Sequence, residues 1–282
     1  MKNSKTKISI ITVVRNGRNT IEKTMLSILN QTYPNIEYIV IDGASKDGSL
    51  DIIKEYEKKL FNCEFKNVSF KFISEEDMGV YDGMNKGIKL ANGEWINFMN
   101  AGDYFESEKV IENIYSDDKI QDKNVSVIYG DTIYINYDKN TIKSKKIELD
   151  NFWKGPCFAH QSCFVKTNLM KKYCFDITLK IASDYKFLFS LYNKGFIFLY
   201  LPISIAVFSV GGLSYNNYKS IIERYKVVSR THYRIIHKVY YIYLIYITII
   251  QDLFIKIIGK SNYALLRSLK WNINRLLVEH IR

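Results

Sequence analysis

The first hundred residues alternate short β-branched runs with segments whose apolar positions recur at helical spacing, and this alternation constrains the fold more than anything else in the chain. Ile8 to Val14 is a β-branched run ending at Arg15-Asn16-Gly17, a turn signal. Asn19 or Thr20 can cap a following helix with Ile21, Met25, Ile28 and Leu29 on one face. Ile36 to Ile41 reads as a second strand closed by Asp42-Gly43. Ser49 or Asp47 then starts a helix carrying Ile52, Ile53, Tyr56 and Leu60. Val68 to Ile73, Val80 to Leu90 and Trp95 to Met99 continue as strand, helix and strand. Units of this kind build a parallel α/β sheet, whose ligands gather beyond the carboxyl ends of the strands.

After Asp103 the alternation loosens. A helix near Ser107 to Tyr115 leads to a strand from Val125 to Tyr129 and a polar hairpin-like region from Ile133 to Leu149. Gly155 to Val165 follows, then a helix around Ala182 to Asn193 and an apolar strand from Phe196 to Phe208. Gly211-Gly212 marks a break. Beyond it, Ile221 to His237, Val239 to Ile258 and Tyr263 to Ile281 read as three helices, and no internal repeat is present. The expected organisation is an α/β domain over residues 1–214, with halves at about 1–103 and 104–214, followed by a helical tail over 215–282.

Of 282 residues, 47% are apolar and 24% charged, which suits a folded globular chain and not a disordered one. The net charge of +11 is concentrated at one end. Asn216 to Arg282 holds twelve Lys or Arg against three acidic residues, whereas the first 215 residues are nearly balanced. Nucleic-acid binding by the α/β domain is therefore not expected. Cys63, Cys157, Cys163 and Cys174 form no CxxC pair, and Met1 to Lys7 is polar with no signal-peptide core. Both features predict a reduced, cytoplasmic protein.

Three acidic positions stand where chemistry is expected. Asp42 closes the second strand in DGASKDG, where its carboxylate can take a ligand's hydrogen bonds or merely close an Asx-turn. Asn100 and Asp103 end the fourth strand in NFMNAGD. An amide oxygen and a carboxylate are hard ligands for Mg²⁺ or Mn²⁺, although the same residues also make an ordinary loop. Asp184 opens the helix of SDYKF, as a helix cap or as a general base if a cleft brings it to an acceptor hydroxyl.

Taken in order, ISIITVVRNG, TMLSILNQTYPNIEYIVIDGASKDGS, SEEDMGVYDGMNKGIKLANGEWINFMNAGD, FAHQSCFVK and IASDYKFLF resemble the family-two glycosyltransferases of the GT-A fold, from Ile8 to about Ser214. The resemblance implies a Rossmann-like, mixed but mainly parallel sheet flanked by helices, with the tail as a C-terminal helical extension. It is strongest to enzymes that build bacterial exopolysaccharide, capsule or O-antigen. It further implies that Thr12, Val14 and Asn16 line the nucleotide pocket and that Asp42 contacts the base, usually uracil. Asp77 and Lys86 would lie near the ribose and diphosphate, although Lys86 can instead pair with Asp82 four residues away. Asp103 would be the main ligand of a Mn²⁺ or Mg²⁺ ion, with Asn100 beside it, and Asp184 the general base. His160 would face the acceptor. Asn100 and Gly102 stand where acidic residues are common in the metal motif, and Ser183 stands where many relatives have Glu.

The implied reaction is a single inverting displacement, from a nucleotide sugar (a UDP-sugar by preference) to a glycan or lipid-linked acceptor. Paired carboxylates also serve glycoside hydrolysis, but a hydrolase has no use for nucleotide-site residues after parallel strands. The competing reading is a non-catalytic relative that binds a nucleotide sugar as a partner subunit. In the tail, Val239 to Ile250 is apolar but too short for a confident membrane span. Its tyrosines, with Lys and Arg on both sides, predict a helix lying at the inner face of the cell membrane. Packing in a homodimer or against the domain is the alternative.

Overall fold

A computed structural model of the chain describes residues 6–62, 65, 67–135, 141–144, 146–209, 218–231 and 235–258. The chain divides into two compact units, Met1–Tyr215 and Asn216–Arg282.

Among the described residues, the first unit is built on a mixed sheet of nine strands. Parallel strands β1 (Ile8–Val14), β2 (Ile36–Asp42), β3 (Val68–Ser74) and β4 (Trp95–Phe98) form one half, in the order β3-β2-β1-β4. All residues of β1, β2 and β4 are buried, as strands covered on both faces must be. The connecting helices are α1 (Ile21–Leu29), α2 (Ser49–Phe61) and α3 (Val80–Leu90). Thr20 holds the N-cap of α1 without a side-chain cap bond, and α2 starts after Gly48, a left-handed residue at φ +92°.

The α3 helix lies unusually close to the sheet. A Cβ on Gly87 would stand 2.5 Å from Ile11 Cγ2, and one on Gly83 would stand 2.7 Å from Val13 Cγ1. Two glycines one turn apart thus let the helix rest directly on β1.

The second half continues the sheet. It uses β5 (Tyr104–Phe105), β6 (Val125–Ile135), β7 (Thr141–Lys143), β8 (Cys163–Lys166) and β9 (Ile197–Ser209), with β4 antiparallel to β8 and β8 antiparallel to β6. Helices α4 (Val110–Tyr115), α5 (Thr167–Tyr173) and α6 (Ser183–Asn193) accompany it. The core runs under both halves, from Ile10, Met25 and Tyr38 through Trp95 and Phe105 to Phe164 and Ile205.

Most expected elements of the first unit are present within a few residues; β5, the far end of β6, the start of α4 and the whole of α5 differ from expectation. The strand expected at Val125 to Tyr129 runs on to Ile135, because β9 pairs along its whole length. The helix expected from Ser107 begins at Val110. Helix α5 had no signal of its own: its seven residues show no full amphipathic repeat. In the second unit, the helix expected from Ile221 to His237 ends earlier, as α7 (Tyr218–Val228), and α8 (Ile235–Ile258) begins ahead of the expected Val239; the segment from Tyr263 to Ile281 lies outside the described residues. No helix among the described residues is long and apolar enough to cross a membrane.

Candidate active site

Because β1, β2 and β4 run in parallel, Val14, Asp42 and the Met99–Asp103 turn all emerge at one edge of the sheet. Strand β8 runs the other way, so the 3-10 turn His160–Ser162 that precedes it comes to the same edge. The sequence scatters these residues over 150 positions; topology collects them.

On the β1–β2 side of this edge, Asp42 is fully buried. Its Oδ2 accepts from Ser74 Oγ at 2.6 Å and from the Ser45 N–H at 3.1 Å, while Oδ1 is buried with no hydrogen-bond partner. A buried carboxylate oxygen left unpaired costs stability, and the natural remedy is a donor from a ligand. Asn16 adopts φ +55° and clips the loops after β1 and β2 together: its N–H donates to Ser45 Oγ, and its Oδ1 accepts from the Lys46 N–H. Asp77 comes so close to Gly43 that a Cβ there would meet its Oδ2 at 2.3 Å, and its Oδ1 accepts from the Gly79 N–H ahead of α3.

Thr12 and Val14 do not bring their side chains to this rim. Thr12 is fully buried, donating to the Met99 carbonyl at 2.7 Å and accepting from Tyr38 OH, and Val14 is 2% exposed. Both face the interior, since a central strand is covered on both faces. Lys86 is held by Glu75 Oε1 at 2.9 Å and the Glu76 carbonyl at 2.6 Å, with Asp82 a more distant partner at 3.8 Å. Its ammonium is committed to the loop that precedes α3.

The other side of the edge is a connected chain of side chains. Asp184, in the first turn of α6, accepts from His160 Nδ1 at 3.0 Å through Oδ2 and from Tyr81 OH at 2.9 Å through Oδ1. On its other nitrogen, His160 Nε2 lies 3.4 Å from Asn100 Nδ2, and Asn100 Oδ1 is buried without a partner. The Ile96, Phe98, Phe175, Phe187 and Leu188 side chains wall a cavity of about 10 Å³ against the His160–Asp184 pair, no more than one water's room. Burial pushes the Asp184 pKa up, but the hydrogen bond and charge of His160, with help from Tyr81 and the Tyr185 N–H, bring it below the ordinary aspartate value. The histidine answers in kind: burial lowers its pKa, and Asp184 more than restores it. Asp184 is therefore an anion at neutral pH, which a proton acceptor must be.

Sequence reasoning missed three residues here. Tyr81 reaches Asp184 and the Ile181 carbonyl from α3. Asn85, one turn further along, clamps Phe175 with two hydrogen bonds, Nδ2 to the carbonyl at 2.9 Å and Oδ1 from the N–H at 2.8 Å. Gln161 donates to Asp103 Oδ2 at 2.8 Å. Tyr81 and Asn85 lie in the YDGMNKG stretch, but nothing local says that a helix of the first half will touch residues a hundred positions away. Ser183, where relatives carry an acid, is fully buried and spends its hydroxyl on the Asp176 N–H.

Asp103 is 8% exposed, and burial raises its pKa to about 6 against the opposing Gln161 hydrogen bond and the His160 charge. A carboxyl disfavoured as an anion, in the same turn as the orphaned amide oxygen of Asn100, is of the donor chemistry that a divalent cation takes. Mg²⁺ and Mn²⁺ are commonly held by few protein oxygens together with phosphates, so these residues fit one.

Against known proteins, the model of the glycosyl transferase family 2 domain matches residues 9–193, about two thirds of the chain. The poly(ribitol-phosphate) beta-glucosyltransferase of Bacillus spizizenii is 30% identical over 201 residues, 67% of this chain and 30% of that protein. The UDP-Glc:alpha-D-GlcNAc-diphosphoundecaprenol beta-1,3-glucosyltransferase WfaP of Escherichia coli is 34% identical over 108 residues, 38% of this chain and 40% of that protein. Thus the chain spans less than half the length of either curated relative. In fold, the chain is similar to the mannosyltransferase PcManGT from Pyrobaculum calidifontis, solved in complex with GDP-Man and Mn²⁺. The TM-score is 0.65 at 15% identity, covering 96% of this chain and 81% of that one. The curled, mostly parallel sheet flanked by helices is the GT-A fold, and the chain belongs to glycosyl transferase family 2.

Proposed function

We propose that the chain moves a sugar from a UDP-sugar to a hydroxyl of a glycan or lipid-linked acceptor, with inversion, during synthesis of a bacterial surface polysaccharide. The observation that carries this reading is the Asp184 carboxylate, held by His160 and Tyr81 on the same sheet edge as the unsatisfied oxygens of Asp42 and Asn100. The donor and lipid carrier for which WfaP is named support the choice of substrates. In this reading the first unit is the catalytic domain, and the reaction takes place at the inner face of the cell membrane.

In the mechanism, Asp42 Oδ1 accepts from the N–H of the base. Asn16 and Asp77 face the ribose and diphosphate, and Lys86 holds the loop beside them. Asp103 and Asn100 would hold the Mn²⁺ or Mg²⁺ ion, which when bound neutralises charge on the departing diphosphate. Asp184 takes the acceptor hydroxyl proton as that oxygen attacks the anomeric carbon. The bond to the diphosphate breaks with its electron pair leaving on the diphosphate oxygen, and attack from the opposite side inverts the centre. His160 keeps Asp184 ionised and aimed from the acceptor side.

The test is donor hydrolysis over a panel of nucleotide sugars with Mn²⁺ or Mg²⁺. Slow release of UDP from one donor is expected, falling by about a hundredfold or more in Asp184→Asn and lost in Asp103→Ala. No release and no nucleotide binding by calorimetry overturns the reading. Binding without release, even with lipid-linked acceptors supplied, favours the non-catalytic partner instead.

A further inference from the structure

Within the second unit, α8 packs on α7 through Tyr241, whose ring lies 5.7 Å from that of Tyr225, and Tyr241 and Thr248 are buried. Among the described residues of this unit, nothing packs on the opposite face of α8. Ile235, Val239, Ile242, Tyr246, Ile249 and Leu253 are 46–79% exposed, and Tyr243 and Ile250 stand exposed beside them. At 100° per residue these positions fill an arc of about 120° along a 24-residue helix about 36 Å long. Isolated exposed apolar residues need no explanation, but an unbroken stripe of this length does.

Two features say what covers it. The arc is wider than the two-position seam of a paired coiled coil, and Tyr243 and Tyr246 give it rings with polar tips, which suit headgroup depth. The unit is also strongly basic: twelve Lys or Arg against three acidic residues from Asn216 to Arg282, with Lys219, Lys226 and Lys238 exposed. Pairing two copies would bring like charges together, whereas an anionic bilayer neutralises them.

We infer that α8 is an interfacial helix that lies flat in an anionic lipid surface, with Ile242, Tyr246 and Ile249 toward the acyl chains and Lys238 among the headgroups. This deepens the lipid-linked-acceptor reading, on which it rests for its purpose, by naming the element that holds the enzyme at the leaflet.

The test is sedimentation of the full chain with vesicles of phosphatidylcholine alone, or mixed with phosphatidylglycerol, at physiological salt. The protein is expected to pellet with the mixed vesicles and not with the neutral ones. The Ile242→Lys, Ile249→Lys double variant is expected to bind at least about tenfold more weakly. Both positions are exposed, and circular dichroism checks that the variant folds; an Ile242→Ser, Ile249→Ser pair provides a milder change. A chain that stays in the supernatant with mixed vesicles, or a double variant that binds as well as the original, overturns the inference. So does a lipid-free dimer that the double variant converts to monomer, because that assigns the face to a second copy. Donor hydrolysis by the same preparation without lipid separates the two claims: loss of hydrolysis with intact vesicle binding strikes only the transfer reading, and the reverse strikes only this one.

Discussion

The hydroxyl of Tyr81 on α3 lies 2.9 Å from Asp184 Oδ1 and 2.6 Å from the Ile181 carbonyl, joining the parallel half of the sheet to the first turn of α6. Its single proton serves one acceptor at a time, and when it points to the carboxylate it favours the ionised form. Asn85 reinforces the joint through Phe175. Asp184 and α3 are therefore linked directly through side chains.

Tyr81→Phe tests that joint. Removing a donor to an ionised group raises the Asp184 pKa, so the acid limb of the pH–rate profile shifts to higher pH. A hydrogen bond to a charged group is worth about 1.5–3 kcal/mol, so the limb should move up by about one to two pH units, with KM for the donor little changed. Steady-state kinetics across pH reads both effects. An unmoved acid limb would deny Tyr81 any hold on the base.

Asp103→Asn should separate function from stability. The folded pKa of about 6 lies above the ordinary aspartate value of 3.8, so ionising this group costs stability as pH rises through that window. The cost reaches about 3 kcal/mol at neutral pH in the absence of a cation. The amide keeps an acceptor for Gln161 and carries no charge. Expected outcomes are a higher melting temperature without metal, no further stabilisation by Mn²⁺ with UDP, and loss of donor hydrolysis. Thermal scans with and without the ion make the comparison.

Glu37 has the opposite sign. It is 4% exposed and accepts from Ser9 Oγ at 2.6 Å, the Asn92 N–H at 2.7 Å and Lys71 Nζ at 2.9 Å. Burial pushes its pKa up, but these partners bring it down to about 2 from 4.5. Its stabilisation is thus present above pH 4.5 and is lost as pH falls toward 2, about 3 kcal/mol in all. Glu37→Gln should lower stability at neutral pH by a similar amount and flatten the acid limb of the stability curve. Urea unfolding at several pH values measures it.

Gly87→Ala pits local against tertiary preference. Alanine favours a helix over glycine by about 1 kcal/mol. Here its methyl would sit 2.5 Å from Ile11 Cγ2 and push α3 off β1. A net loss of about 1–3 kcal/mol is expected. An accompanying Ile11→Ala should recover part of it, so that the double variant is more stable than the summed losses imply.

Several elements were legible because their signals are local. The β-branched runs of β1 and β2 and the apolar spacing of α1 and α6 needed no partner to be recognised, and Asp42, Asn100 and Asp103 were identifiable by following such strands. Helix α5 and the extension of β6 were not, since one is too short for periodicity and the other depends on pairing with β9. Thr12 and Val14 illustrate a further gap: strand position was correct, but which side chains of a doubly covered strand reach a ligand depends on what packs above and below.

By itself the sequence determined the order of strands and helices, the acidic residues beyond the strand ends and the basic, apolar tail, because propensity, periodicity and charge are properties of neighbours along the chain. Only the tertiary structure decided that Asp184 is held by His160 and Tyr81, that Asp42 Oδ1 and Asn100 Oδ1 are left without donors, and that, among the described residues of the second unit, one face of α8 is left exposed. Each of these is a matter of burial and of contact between residues up to a hundred positions apart. Such contacts follow from how the sheet brings distant segments together, which no local pattern encodes.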